Sequence, residues 1–115
     1  MPGISIHVVD VARGTPATGM YVEVFSLSPA RQRIADGQLG PVGALDHPIV
    51  QQQLAAGPYE VIFHAGAFFA AHGVAQSQPP FLDQVPFRLT VSDSAQHVHL
   101  PMKITPWGYS LFRGS

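Results

Sequence analysis

The sequence predicts an all-β sandwich carrying one short helix, and three observations predict it. Several short segments alternate apolar and polar residues, the period of a strand with one face in a core. Eleven glycines and 11 prolines fall largely between those segments, where they punctuate turns. One stretch alone, Ala65 to Ala75, is rich in alanine and poor in β-branched residues, which suits a helix. At 115 residues the chain makes one domain, 1–115.

Taken in order, Ile4, Ile6 and Val8 alternate with Ser5, His7 and Val9 as a first strand, and Ala12 to Gly19 reads as a loop. Met20 to Leu27 alternates again, with Val22 and Val24 against Tyr21, Glu23 and Phe25. Arg31 to Ile34 is a short polar strand. Asp36-Gly37 then reads as a hairpin turn, because glycine accepts the positive φ such a turn needs, and Gln38 begins the returning strand. Gly57-Pro58 opens Tyr59 to His64, whose β-branched and aromatic content marks a strand. The helix from Ala65 carries the pair Phe68-Phe69 and ends near Gly73. Gln78-Pro79-Pro80 leads to a strand from Val85 to Ser92, and Asp93-Ser94 turns into another from Gln96 to Ile104. Pro106-Trp107-Gly108 precedes a last strand, Tyr109 to Phe112, which makes seven or eight strands in all.

Charged residues are 11% of the chain, against about a quarter in an average soluble domain. A small domain with so little charge is expected to cover part of its surface in a homo-oligomer. Six Lys+Arg, Lys103 being the single lysine, form no basic stripe and exclude nucleic acid as the main partner. The absence of cysteine excludes a disulfide scaffold, a cysteine zinc site and a thiol nucleophile. With no export signal at Met1 to His7 and no apolar run of about 18 residues, no membrane partner and a cytoplasmic location are expected.

The densest chemical feature is Gln96-His97-Val98-His99-Leu100-Pro101. Residues two apart on a strand share a face and lie about 6.5 to 7 Å apart, so His97 and His99 point the same way. His7 occupies the polar phase of the first strand and is placed to join them. Converging imidazoles serve either a metal site or a base that activates water near neutral pH. A His-x-His strand pair with a third histidine is a known zinc arrangement, and cupins, which also carry His-x-His on a strand, want a glutamate about four residues beyond the second histidine; here that residue is the cation Lys103, which would repel a metal. We therefore expect no metal and no cofactor. His47, His64 and His72 take ordinary structural readings, and Asp10 and Asp46 are the only carboxylates placed near the histidines. Neither Ser110 nor Ser115 sits in a nucleophile elbow, and Phe68, Phe69, Phe81 and Trp107 read as core or interface.

His97-Val98-His99-Leu100-Pro101 followed by Tyr109-Ser110-Leu111-Phe112-Arg113-Gly114-Ser115 resembles the transthyretin-like 5-hydroxyisourate hydrolases, which read His-Tyr-His-Val-Pro and then Tyr-Ser-Thr-Tyr-Arg-Gly-Ser. Ile6-His7-Val8-Val9-Asp10, Gly14-Thr15-Pro16-Ala17 and Phe81 to Pro86 are similar to further segments of that family, so the resemblance spans nearly the whole chain. It implies a prealbumin-like sandwich of two sheets with one short helix, assembled as a homotetramer with small-molecule sites at the dimer–dimer interface. It also implies that His7 and His99 are catalytic, activating or orienting the water that opens the six-membered ring. His97, Phe112, Arg113 and Ser115 fall among the substrate-binding positions, with Gln38 where the family has the arginine of an Asp-Gly-Arg turn.

Gln38 and Phe112 depart from the family's arginine and tyrosine, and both changes remove polarity. Three readings follow. The chain is an ordinary 5-hydroxyisourate hydrolase that recruits Arg31 or Arg33, or a relative acting on a neutral, N-methylated 5-hydroxyisourate from methylxanthine breakdown, or a non-catalytic binding protein. The second is preferred, because retained His7, His99 and Arg113 speak for catalysis and the lost cation speaks against an anionic ring.

Overall fold

A computed structural model describes residues 2–114. Eight strands form two four-stranded sheets: β1 (Gly3–Asp10), β2 (Thr15–Pro16), β7 (His97–Thr105) and β8 (Gly108–Leu111) in the order β2-β1-β7-β8, and β3 (Tyr21–Ser26), β4 (Gln32–Gln38), β5 (Gly57–His64) and β6 (Gln84–Val91) in the order β4-β3-β5-β6. One short helix, α1 (Ala65–Ala71), follows β5 directly. All pairings are antiparallel except β1 with β7. The expected sandwich with one helix is the architecture observed.

The alternation read in the sequence is what builds the core. In β1, Ile4, Ile6 and Val8 turn inward and are essentially fully buried, and Val98, Leu100, Met102 and Ile104 do the same from β7. They meet Val22 and Val24 of β3 and Val61 and Phe63 of β5, with Phe68 and Phe69 of α1 closing the cluster. Each such side chain contributes about 1.5 to 3 kcal/mol on leaving water. The opposite phase of β1 and β7 is thereby committed to the outer face of its sheet, and that face carries the histidines.

Two expectations are corrected. Asp36-Gly37 is no turn, for Asp36 pairs with Glu23 and Gly37 with Val22 inside β4, which runs on to Gln38. The Asp36 carboxylate accepts from the Tyr21 hydroxyl at 2.7 Å across the pair, and Gly37 has no positive φ. The actual reversal is Gly40 to Ala44, where Gly43 donates to the Gly40 carbonyl at 2.9 Å with φ +79°. Within the expected loop, Thr15–Pro16 pairs with Val9 and Asp10 as β2. The helix stops at Ala71 with Gly73 at φ +66° just beyond it, which is the end expected near that glycine.

Candidate active site

The parallel register of β1 and β7 sets Ser5 opposite His99 and His7 opposite Pro101. Because Ile4, Ile6, Leu100 and Met102 fill the core, Ser5, His7, His97 and His99 all emerge on the outer face, each half-buried. Two imidazoles about 7 Å apart along β7 are bridged by a hydroxyl from β1. Ser5 Oγ lies 2.7 Å from His97 Nε2 and 2.6 Å from His99 Nδ1, and His97 Nδ1 lies 3.3 Å from the Pro2 carbonyl.

Two short segments wall this face. Past β8 the chain keeps register, so that the Gly114 N–H donates to the His99 carbonyl at 2.7 Å. A Cβ at Gly114 would lie 2.9 Å from His99 Cδ2, so only glycine fits against that ring edge. On the other side, the end of the Gly40 to Ala44 turn lies along the part of the β1 edge that β2 does not pair. Val8 donates to the Gly43 carbonyl at 2.9 Å and Leu45 to that of Ile6 at 3.2 Å, which sets Ala44 opposite His7. Gly43 is required there, since a Cβ would sit 2.5 Å from the Val8 carbonyl oxygen.

Burial of His99, and then the positive charge that His7 and His97 carry when protonated, hold its imidazole below the ordinary value of 6.5. At neutral pH it is an uncharged base. Both nitrogens that face Ser5 are occupied by its hydroxyl, and among the described residues no three His, Asp or Glu side chains converge as a metal site. The donor set suits proton transfer better than metal ligation.

The structure therefore sets His7, His97 and His99 on one sheet face, and it leaves other expected residues apart. Gln38 ends β4 in the opposite sheet and lines a separate pocket of about 180 Å³ with Gly19, Tyr21, His64, Phe68 and His72. This is a correction with a definite cause: Asp36-Gly37 mimics the family's turn dipeptide, while the turn residue that reaches His7 is Ala44. Arg113 donates to Gln96 Oε1 at 3.1 Å and lines a cleft between the sheets with Phe87, Leu89 and Asp93. Arg33 is bound to Glu23 at 3.2 Å and Arg31 to Glu60, so neither replaces a cation near His7 within one chain. Phe112, 57% exposed, falls opposite Pro101 in the continued register and so flanks the histidine face. Ser115 lies outside the described residues. His47, His64 and His72 have the structural roles expected, accepting from Ile49 N–H, pairing with Glu23, and donating to the Phe68 carbonyl. Sequence reasoning missed Ser5, Ala44 and the role of Gly114. Only Ser5 left a signal, its place in the same strand phase as His7.

The HIUase/Transthyretin family model matches residues 4–114. A 5-hydroxyisourate hydrolase from Deinococcus radiodurans is 40% identical over 116 residues, covering 99% of this chain and 97% of that protein. Among solved structures, an (S)-allantoin synthase is 31% identical with a TM-score of 0.91, covering 98% of this chain, which spans 43% of that longer one. The Klebsiella pneumoniae 5-hydroxyisourate hydrolase is 29% identical with a TM-score of 0.82 and full coverage of both chains.

Proposed function

This chain belongs to the HIUase/Transthyretin family, and from that membership we propose that it is a hydrolase that opens the cyclic amide of a 5-hydroxyisourate. The observation that carries the reading is the imidazole cluster, with His99 uncharged at neutral pH, aligned with His7 on one open sheet face and closed by the Gly114 backbone. A water oxygen adds to carbonyl C6 as its proton passes to His99. The tetrahedral adduct then collapses, the C6–N1 bond breaks, and N1 takes the proton. His7 orients the water or the leaving nitrogen. The reaction in this reading is metal-independent, because the cation Lys103 stands where a carboxylate ligand would follow His99.

The finer proposal is that the substrate is a neutral, N-methylated 5-hydroxyisourate such as the trimethyl form produced in methylxanthine breakdown. Methyl groups replace ionisable N–H groups, so the ring cannot form the parent's anion. In support, the segment that meets His7 is Val42-Gly43-Ala44, with Val42 65% exposed, and it offers methyl surface and no guanidinium. The second reading, the ordinary 5-hydroxyisourate, is favoured by the name of the 40%-identical relative. We further propose a cytoplasmic homotetramer with sites at the dimer–dimer interface. The exposed Phe112 and the few charges on the chain support it, since a face open to water leaves a small ring uncovered on one side. The test is kcat/KM for freshly generated 5-hydroxyisourate and its trimethyl analogue side by side. Preference for the trimethyl ring supports the finer reading, preference for the parent supports the second, and turnover of neither removes both.

A further inference from the structure

We propose that Ser5 is a positioning residue that fixes the proton of His99 on Nδ1 and so leaves Nε2 bare as the base. The inference rests on the hydrolase reading above and adds to it the atom that acts. It follows from counting donors and acceptors along one chain of contacts. A backbone carbonyl only accepts, so the contact of His97 Nδ1 with the Pro2 oxygen at 3.3 Å requires a proton on that nitrogen. In a neutral ring the other nitrogen, Nε2, is then a lone pair. The Ser5 hydroxyl, 2.7 Å away, has one proton and donates it there. With its single proton spent, Ser5 only accepts from His99 Nδ1 at 2.6 Å, so His99 carries its proton on that nitrogen.

The bare nitrogen of His99 is therefore Nε2, next to Cδ2, the ring edge against which Gly114 packs. The two Ser5 contacts, at 2.7 and 2.6 Å, are short enough for each to bias the other, and reversing one reverses the other. The order matters because an isolated imidazole prefers the opposite tautomer, with the proton on Nε2, which would present a donor to water where a base is needed. Residue 5 shares its strand phase with His7 and its register position with His99, which is why one hydroxyl on β1 can set a ring on β7. Threonine keeps that hydroxyl and is at home in a strand, whereas alanine removes it.

The experiment is 15N-detected imidazole NMR on the intact protein, which reads the tautomer without substrate, together with steady-state kinetics of ring opening. We expect an unprotonated Nε2 at His99 in wild type near neutral pH. Ser5→Ala should move His99 toward the Nε2-protonated form and lower kcat about tenfold or more at little cost in KM, short of the 10²- to 10⁴-fold expected for losing a base outright. Ser5→Thr should restore the wild-type tautomer and most of the rate. Protonated Nε2 in wild type, or a His99 tautomer that is unchanged in Ser5→Ala, overturns the proposal. Should Ser5→Ala fail to fold, the wild-type and Ser5→Thr spectra decide it. Absence of ring opening by wild type would instead sink the hydrolase reading, and the spectra would still report on Ser5.

Discussion

Replacing Gly114 by alanine places one methyl group against the ring on which this account depends. The added Cβ lies 2.9 Å from His99 Cδ2 and 3.2 Å from two carbons of Pro101. Carbon contacts are best at about 3.5 to 4.0 Å, so the closest must open by roughly 0.6 Å. Either His99 turns, stretching its 2.6 Å bond to Ser5, or the strand end lifts and loses the 2.7 Å bond from Gly114 to the His99 carbonyl. Overpacking of this kind costs about 1 to 3 kcal/mol, and a misplacement near 1 Å in a catalytic group costs about 10²-fold. We therefore expect Gly114→Ala to lower kcat/KM about 10- to 100-fold, followed as decay of fresh substrate in a stopped-flow spectrophotometer. Gly108, in the same segment, has nothing within 4 Å of its own would-be Cβ, and Gly108→Ala should stay within about twofold, as surface changes do. Equal rates for wild type and Gly114→Ala would refute the placement of the reacting atoms at this ring edge.

Ala44→Arg should bring a guanidinium to His7 and shift the ratio of kcat/KM toward the unmethylated substrate by about tenfold or more, the scale of one charged hydrogen bond. An unmoved ratio would show that this wall does not read the substrate's charge. The rate should fall on the acid side with a midpoint below 6.5, because His99 is held beneath that value and must be neutral to act. Native His99 also takes up its proton later than unfolded His99, so its contribution to stability is flat above 6.5 and declines as pH falls below it. An acid limb with its midpoint above 6.5 would mean that another group is titrating. Prolonged chelation should leave turnover unchanged, and loss that returns with added zinc would restore the metal reading of the three histidines.

How much was visible in the sequence depended on whether local pattern or long-range pairing decided a residue's place. The burial of Ile4, Ile6 and Val8 fixed the phase of β1, so the outward direction of His7 was legible, as was the shared face of His97 and His99. Their meeting across β1 and β7 was not, since the parallel register joins residues more than ninety positions apart. Gln38 shows the converse. Asp36-Gly37 carries the local chemistry of a turn, but pairing with Val22 and Glu23 keeps it in a strand. The reversal four residues on, through Gly43, then delivers Ala44 to the histidine. The turn dipeptide was a weaker constraint than a continuous strand ladder. Ser5 was hidden for a different reason, since its strand phase puts it on the face of His7 but a lone serine shows no role until its neighbours across the sheet are known.

The most direct test of the central claim is the first-order decay of freshly generated 5-hydroxyisourate and its trimethyl analogue with wild type, with His99→Asn and with no protein. Wild type should accelerate ring opening of at least one of them, and His99→Asn should lose about 10² or more of that acceleration while keeping a native circular dichroism spectrum. Decay at the protein-free rate with wild type, or an undiminished rate with folded His99→Asn, would contradict the claim.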